Sequence, residues 1–285
     1  MIDIQTLAVV GAGTMGLGIA QLGIQHGLPT ILFDLNPAAL EKAQATIAAG
    51  LAKLVEKNKL TPADRDAALQ RLTTTTDTSV VQADLIIEAV VERLDVKHQL
   101  FRELAVINSP TTILASNTSS LPITQLAAPV PHPERVVGLH FFNPAPIMPL
   151  VEVISGVATA PEVADAVEAL ARRIGKTPVR AADAPGFIVN RVARHYYVES
   201  LKVAEENVAS FEVVDQLLEA SGFKMGPFRL MDLIGVDTNF SVTSAMFASF
   251  HQDAKFRPSR IQQQKVDAGH HGRKTGQGFY MYKQE

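Results

Sequence analysis

The fold is decided by the stretch LAVVGAGTMG, residues 7–16. Its four apolar residues predict a short buried strand, its glycines predict a turn, and the helical pattern from Leu17 to His26 ends at Gly27. A strand, a glycine-rich turn and a helix in this order are typical of the first unit of a dinucleotide-binding domain. The alternative is an ordinary glycine-rich turn.

Each glycine of the turn has a physical reason. Gly11 allows the tight turn, Gly13 lets backbone amides approach a pyrophosphate, and Gly16 lets the helix pack close to the strand. The second predicted strand, residues 30–35, carries Asp34 close to the expected ~20 residues after the glycines. A carboxylate there accepts both ribose hydroxyls of NAD and repels the extra phosphate of NADP. The sequence therefore predicts NAD as the cofactor.

Helices and strands alternate along the rest of the first part of the chain. The patterns predict helices over residues 36–57, from 61 onwards and over 94–107, and strands over 73–76, 85–91 and 112–115. Further strands are expected around residue 151 and over 177–180, flanking a helix over 161–174. This alternation predicts a doubly wound, mostly parallel, Rossmann-like α/β sheet. Ligands of such sheets bind beyond the carboxyl ends of the strands.

His140 and Glu152 form a candidate acid/base pair. His140 ends an apolar run, and Glu152 lies inside a second short strand pattern, where a carboxylate is costly unless a polar partner meets it. A carboxylate beside a histidine fixes the imidazole tautomer and stabilises its charged form, which suits a base near neutral pH. On the pair alone, the favoured interpretation is that the two residues are unrelated. In that case His140 caps a strand and Glu152 faces solvent on an edge strand.

The sequence changes character near residue 184. Residues 183–187, Asp-Ala-Pro-Gly-Phe, are typical of a linker, and the apolar residues after them follow helical spacing over 192–208, 211–218 and 230–250. We therefore expect an NAD-binding domain over residues 1–184 and an all-α domain over 185–285.

Composition excludes several classes of function. The 285 residues have a net charge of −3 and are 47% hydrophobic, which suits two globular domains and gives no sign of nucleic-acid binding. Cysteine is absent, which excludes disulfides and thiol nucleophiles and fits a reducing compartment. No secretory signal and no apolar run of the ~18 residues that a membrane span needs is present. We expect a cytoplasmic protein with no membrane partner.

Six motifs resemble those of the 3-hydroxyacyl-CoA dehydrogenase family, of the 3-hydroxybutyryl-CoA dehydrogenase type, and together they span most of the chain. They are GAGTMG (11–16), SNTSS (116–120), HFFNPAP (140–146), PGFIVNR (185–191), MGPF (225–228) and GRKTG (272–276). The resemblance implies NAD-dependent oxidation of an L-3-hydroxyacyl-CoA, or the reverse reduction, within fatty-acid metabolism or a related pathway. It also implies a homodimer formed through the helical domain, which would complete the substrate site.

Carried over motif by motif, the resemblance assigns the chemistry to four residues, His140, Glu152, Ser119 and Asn190. His140 is the implied base, Glu152 supports it, and Ser119 and Asn190 bind the substrate oxygen. Ser119 is preferred to its neighbour Ser120 only by the family's spacing to the histidine. We expect no metal, because His195, His251, His270 and His271 have no acidic or histidine partner at ligand spacing in the sequence.

The resemblance also assigns the cofactor contacts, which are Gly11, Ala12, Gly13, Thr14, Met15, Gly16, Asp34, Glu92, Lys97, Ser119, Asn143 and Lys274. It places Lys57 near the phosphates of CoA, with a solvated surface lysine as the equal alternative. Arg229 departs from the family, whose members commonly have an acidic residue there.

The exact substrate is left open. Arg194 follows Asn190 by one helical turn, so it is a candidate partner for the far carboxylate of a substrate such as 3-hydroxyadipyl-CoA. The alternatives are a surface arginine or one paired with Glu199 or Glu205. Other relatives are crystallin-like proteins and sugar-acid dehydrogenases, and the HFFNPAP motif argues against the lysine-dependent β-hydroxyacid dehydrogenases.

Overall fold

The structure, a computed structural model, describes residues 2–283. The chain divides between Ala184 and Pro185 into two compact units. The first unit is built on a β-sheet with helices, and the second is helical.

Within the described residues, the first unit holds one eight-stranded sheet in the order β3-β2-β1-β4-β5-β6-β7-β8. The strands are β1 (Leu7–Val10), β2 (Thr30–Phe33), β3 (Leu72–Thr75), β4 (Leu85–Glu88), β5 (Ile113–Ser116), β6 (Val136–Phe141), β7 (Leu150–Ser155) and β8 (Thr177–Ala182). All neighbouring strands pair in parallel except β6 and β7, which are antiparallel. The predicted mostly parallel, doubly wound sheet is therefore confirmed.

The helices of this unit connect the strands. They are α1 (Thr14–Gln25), α2 (Pro37–Glu56), α3 (Pro62–Gln70), α4 (Leu94–Ile107), α5 (Ile123–Ala127) and α6 (Pro161–Arg173). Asn36 caps α2 by accepting from the backbone N–H of Ala38, and Thr61 caps α3 by accepting from that of Asp64. In both helices the capping residue is followed by a proline at the first helical position.

The central strands are apolar runs rather than alternating patterns because helices can cover both faces of a parallel sheet. Every residue of β1, β4, β5 and β6 is buried. Strand β4 ends at Glu88, three residues before the predicted end.

The second unit contains α7 (Val189–Glu205), α8 (Phe211–Ala220), α9 (Pro227–Ile234), α10 (Val236–Ser249) and α11 (Arg260–Asp267). Its core packs Leu201, Phe228, Met231, Val236 and Phe279. An all-α second domain is therefore confirmed.

The apolar pattern over residues 230–250 is two helices rather than one. Gly235, with φ +105°, ends α9 and starts α10, a backbone conformation that L-residues with side chains rarely adopt. Arg229, the departure from the family, forms an ion pair with Glu219 of α8 at 3.1 Å and lies over the ring of Tyr280.

Candidate active site

The glycine loop between β1 and α1 has the geometry that the sequence predicts. Gly11 has φ +105°, and a Cβ on it would lie 2.7 Å from the carbonyl oxygen of Ala89. A Cβ on Gly16 would lie 1.7 Å from the carbonyl oxygen of Gly11, so only glycine lets α1 pack this close to the turn. Gly13 differs, because a Cβ there would meet no atom within 4 Å. The backbone at Gly13 therefore faces open space at the N-terminus of α1, where a helix favours phosphate.

Asp34, just after β2, stands beside this loop. One carboxylate oxygen accepts from the backbone N–H of Ala12 at 2.8 Å, and the other accepts from that of Asn36 at 2.9 Å. A cavity of about 710 Å³ lies here, lined by Gly11, Gly13, Thr14, Met15, Asp34, Leu35, Thr78, Val90, Val91, Gln99 and Glu103 among others. Its size suits a nucleotide-containing ligand. An open glycine loop, a helix N-terminus and a carboxylate on one cavity fit NAD.

His140 and Glu152 face each other across β6 and β7. They are direct partners in the antiparallel register, and Nδ1 of His140 lies 2.8 Å from Oε2 of Glu152. His140 is 6% exposed and Glu152 is 1% exposed, so the alternative of a solvent-facing Glu152 is wrong. Because a carboxylate only accepts, Nδ1 carries the hydrogen, and the neutral ring then has its lone pair on Nε2. That arrangement prepares Nε2 to accept a proton.

A buried ion pair lies between the glycine loop and the SNTSS motif. The ammonium of Lys97, on α4, donates to both oxygens of Glu88 at 2.7 and 2.8 Å. Glu88 also accepts from the hydroxyl of Ser116 and from the backbone N–H of Val90, each at 2.7 Å. Sequence reasoning missed Glu88, although a carboxylate at the end of an apolar strand was the signal that could have found it.

Glu92 connects this ion pair to the residues that include Ser119. One oxygen lies 2.9 Å from the Lys97 ammonium, and the other accepts from Thr118, from the backbone N–H of Ser119 and from the hydroxyl of Ser120. Burial acts to raise the pKa of Glu92, but Lys97 and these hydrogen bonds outweigh it and lower the pKa. Lys97 is itself buried and holds Glu88 and Glu92 in place. These contacts indicate that Lys97 stabilises the loop between β4 and α4.

The HFFNPAP motif is tied to the sheet at both ends. The backbone N–H of Phe141 donates to the side-chain oxygen of Asn117 at 2.8 Å, which joins the motif to the loop after β5. Lys176, just before β8, donates to the carbonyl oxygens of Ala145 and Met148 at 2.6 and 2.9 Å. Asn143, a predicted cofactor contact, is exposed on the segment that Lys176 holds. Sequence reasoning missed Lys176 because its partners are backbone atoms far along the chain.

The remaining predicted residues belong to other elements of the chain. Lys57 is exposed and follows the last residue of α2, so both predictions made for it still stand. Asn190 is the second residue of α7, and Lys274 forms an ion pair with Asp237 at 2.7 Å, both within the second unit. Of the histidines considered as metal ligands, His195 stacks on Phe256. Over residues 2–283 no group of three or more potential metal ligands is found.

No helix in the described part of the chain has both the length and the apolar character needed to cross a bilayer.

A two-unit fold with a dinucleotide-binding loop and a buried His–Glu pair defines a dehydrogenase-like architecture, and comparison with known proteins specifies the family. The model of the 3-hydroxyacyl-CoA dehydrogenase NAD binding domain matches residues 6–184, and that of the 3-hydroxyacyl-CoA dehydrogenase C-terminal domain matches residues 186–282. The chain belongs to the 3-hydroxyacyl-CoA dehydrogenase family of oxidoreductases.

Individual relatives carry more specific names. The chain is 50% identical to a 3-hydroxyadipyl-CoA dehydrogenase of Escherichia coli, covering 100% of this chain but 60% of that protein. It is 41% identical to a probable 3-hydroxybutyryl-CoA dehydrogenase of Bacillus subtilis, covering 99% of both chains. A crystal structure of (S)-3-hydroxybutyryl-CoA dehydrogenase from Ralstonia eutropha superposes with a TM-score of 0.96 at 40% identity, over 99% of this chain and 100% of that one.

Proposed function

We propose that this protein oxidises the 3-hydroxyl of an L-3-hydroxyacyl-CoA to the 3-ketoacyl-CoA with NAD, or catalyses the reverse reduction. The observation that supports the proposal is the buried contact between His140 and Glu152 near the carboxyl end of β6, which would give a histidine base a defined tautomer. Family membership and the names of the relatives support the thioester as substrate.

In this mechanism His140 takes the proton of the 3-hydroxyl on Nε2 as the C3–H bond breaks, so no free alkoxide forms. NAD, held by the glycine loop and Asp34, would supply the acceptor for the hydride of C3. Glu152 keeps Nδ1 protonated and stabilises the imidazolium that results. In the reverse direction the same nitrogen returns the proton to the C3 oxygen.

Ser119 and Asn190 are assigned to the C3 oxygen of the substrate by the family resemblance. Hydrogen bonds from a hydroxyl and an amide would orient that oxygen toward His140 and stabilise charge that develops on it. The position of the Ser119 backbone is supported by Glu92, which accepts from its N–H group at 3.1 Å.

For the cofactor we propose NAD rather than NADP. The phosphates would bind the backbone at Gly11 to Gly16, with Ala12, Thr14 and Met15 as neighbours, and Asp34 would accept the ribose hydroxyls. The open side of Gly13 and the carboxylate of Asp34 on one cavity support this assignment. Glu92, Lys97, Asn143 and Lys274 are assigned to the surroundings of NAD by the resemblance. Lys57 is assigned to the CoA phosphates.

The partner of the protein is proposed to be a second copy of itself. Apolar side chains of α7, of α8 and of the segment between them, including Val192, Val208 and Leu217, are exposed and border cavities of about 470 and 610 Å³ in the second unit. Large exposed apolar surfaces of this kind mark interaction sites. The resemblance implies a homodimer through this unit.

The test is the loss of NADH absorbance when the protein meets acetoacetyl-CoA, with NADPH and free acetoacetate as parallel controls. We expect turnover with NADH and the thioester together, and a loss of at least ~10²-fold in kcat for His140→Ala. His98→Ala removes a histidine of α4 outside this site and serves as the matched control. No turnover by the wild-type protein while NADH still binds would refute the proposal.

A further inference from the structure

Arg194, on α7, is a buried arginine whose charge has no carboxylate partner. It is 3% exposed, and its Nη1 atom donates to the carbonyl oxygen of Asn239 at 3.1 Å and to the hydroxyl of Thr243 at 2.9 Å. Among residues 2–283 no acidic side chain forms an ion pair with it. Burial lowers the pKa of Arg194 to about 10, so the guanidinium still carries its charge at neutral pH. A buried and unpaired charge is costly, which indicates that a partner is missing.

Both alternatives considered from the sequence are wrong. Arg194 is not a surface residue, and the two glutamates proposed as its partners are engaged elsewhere. Glu199 pairs with Lys202, and Glu205 accepts from the backbone N–H of Arg260.

The guanidinium presents one edge that the described residues leave unsatisfied. Both N–H groups of Nη1 are used, whereas Nε is buried without a hydrogen-bond partner and no described residue accepts from Nη2. The N–H groups of Nε and Nη2 are parallel and match the two oxygens of a carboxylate. The Tyr197 ring, 5.2 Å from the guanidinium carbon, and the contacts to Asn239 and Thr243 on α10 fix the orientation of this edge.

The position of Arg194 on α7 relates it to the proposed substrate oxygen. Asn190 precedes it by four residues, so the two side chains start about 5–6 Å apart on the same face of the helix. In a six-carbon dicarboxylic acyl chain, C3 and the terminal carboxyl carbon are separated by three carbon–carbon bonds, which span roughly 4 Å when extended. A substrate bound to Asn190 through its C3 oxygen would have its terminal carboxylate about one helical turn away.

We propose that Arg194 is a specificity-determining residue that binds the terminal carboxylate of a dicarboxylic 3-hydroxyacyl-CoA through its Nε and Nη2 edge. The inference rests on the proposed function and narrows its substrate class to thioesters whose acyl chain ends in a carboxylate. It agrees with the name of the 50% identical relative from Escherichia coli, 3-hydroxyadipyl-CoA dehydrogenase.

The test compares two thioesters of equal chain length, 3-hydroxyadipyl-CoA and 3-hydroxyhexanoyl-CoA, which differ in the terminal carboxylate. For the wild-type protein we expect the higher kcat/KM with the dicarboxylic thioester. Arg194→Met keeps the apolar stem and should reduce the ratio of the two kcat/KM values by about 10- to 100-fold, the effect of one charge-assisted, bidentate contact. Arg194→Lys retains the charge without the planar edge and should give an intermediate ratio. Circular dichroism and thermal melting establish that each variant folds.

The outcomes separate the inference from the proposed function. If neither thioester is oxidised, the proposed function fails. If both are oxidised and Arg194→Met leaves their ratio unchanged, the inference is overturned while the proposed function stands. A carboxylate could also come from a second copy of this chain. Loss of oligomer mass in sedimentation of Arg194→Met with an unchanged ratio would overturn the inference and assign Arg194 to a subunit contact.

Discussion

Replacing Lys97 by methionine should destabilise the first unit because Glu88 would be left buried and charged without its cation. Removing one partner of a buried ion pair typically costs ~3–5 kcal/mol. The lower end applies here, since Ser116 and the backbone N–H of Val90 still donate to Glu88. Methionine preserves the apolar packing of the lysine stem. We therefore expect the free energy of unfolding to fall by about 3 kcal/mol, which lowers the melting temperature of a domain of this size by roughly 6–12 °C.

The assay is urea unfolding of the full chain, followed by circular dichroism, together with thermal melting. The double variant Glu88→Gln with Lys97→Met removes the buried charge and should recover at least ~1 kcal/mol of the loss. Arg172→Met, which breaks an exposed ion pair with Glu168 on α6, is the matched control and should change stability by less than ~1 kcal/mol. Equal effects of Lys97→Met and Arg172→Met would refute the argument from burial.

Two further predictions follow from the same unit. The pKa of Glu92 is lowered below its ordinary value of 4.5 in the folded state, so its contribution to stability is present above that value and is lost as pH falls through the folded-state pKa. Glu92→Gln should therefore make the loss of stability as pH falls below 4.5 less steep in urea unfolding, and a slope equal to that of the wild-type protein would contradict this. Gly16→Ala forces a Cβ to within 1.7 Å of the Gly11 carbonyl oxygen and should lower both stability and NADH affinity, whereas Gly13→Ala enters open space. For Gly13→Ala we expect weaker NADH binding in fluorescence titration with stability within ~1 kcal/mol of wild type, and a drop in stability as large as that of Gly16→Ala would count against the reasoning.

Much of the fold could be predicted from sequence because local signals and tertiary structure agree. Helix α4 has the predicted bounds, since its apolar residues follow helical spacing and Asp95 lies in its first turn. The glycine loop was equally accessible because the backbone itself requires glycine at Gly11 and Gly16. The pairing of His140 with Glu152 could be suggested because a carboxylate inside a strand pattern needs a partner.

Other features depended on contacts that no local pattern reports. The break at Gly235 was missed because apolar residues on both sides share one helical period, and a single glycine is tolerated inside many helices. The partners of Lys97 lie five and nine residues away across a strand end, so neither falls at helical spacing. The burial of Arg194 could not be predicted because arginine is rarely fully buried, and only its hydrogen bonds to Asn239 and Thr243 on α10 exclude the surface alternative.

The antiparallel pairing of β6 with β7, and not the conformation of a loop, brings His140 and Glu152 together. Because the two residues are cross-strand neighbours, their separation is set by the sheet ladder, and a slip of one residue would turn one of them to the opposite face. The connecting segment can therefore change in length and sequence during evolution without loosening the pair, provided that the ladder is kept. Diversification of that segment and preservation of the His140–Glu152 pair are thus separable in this fold.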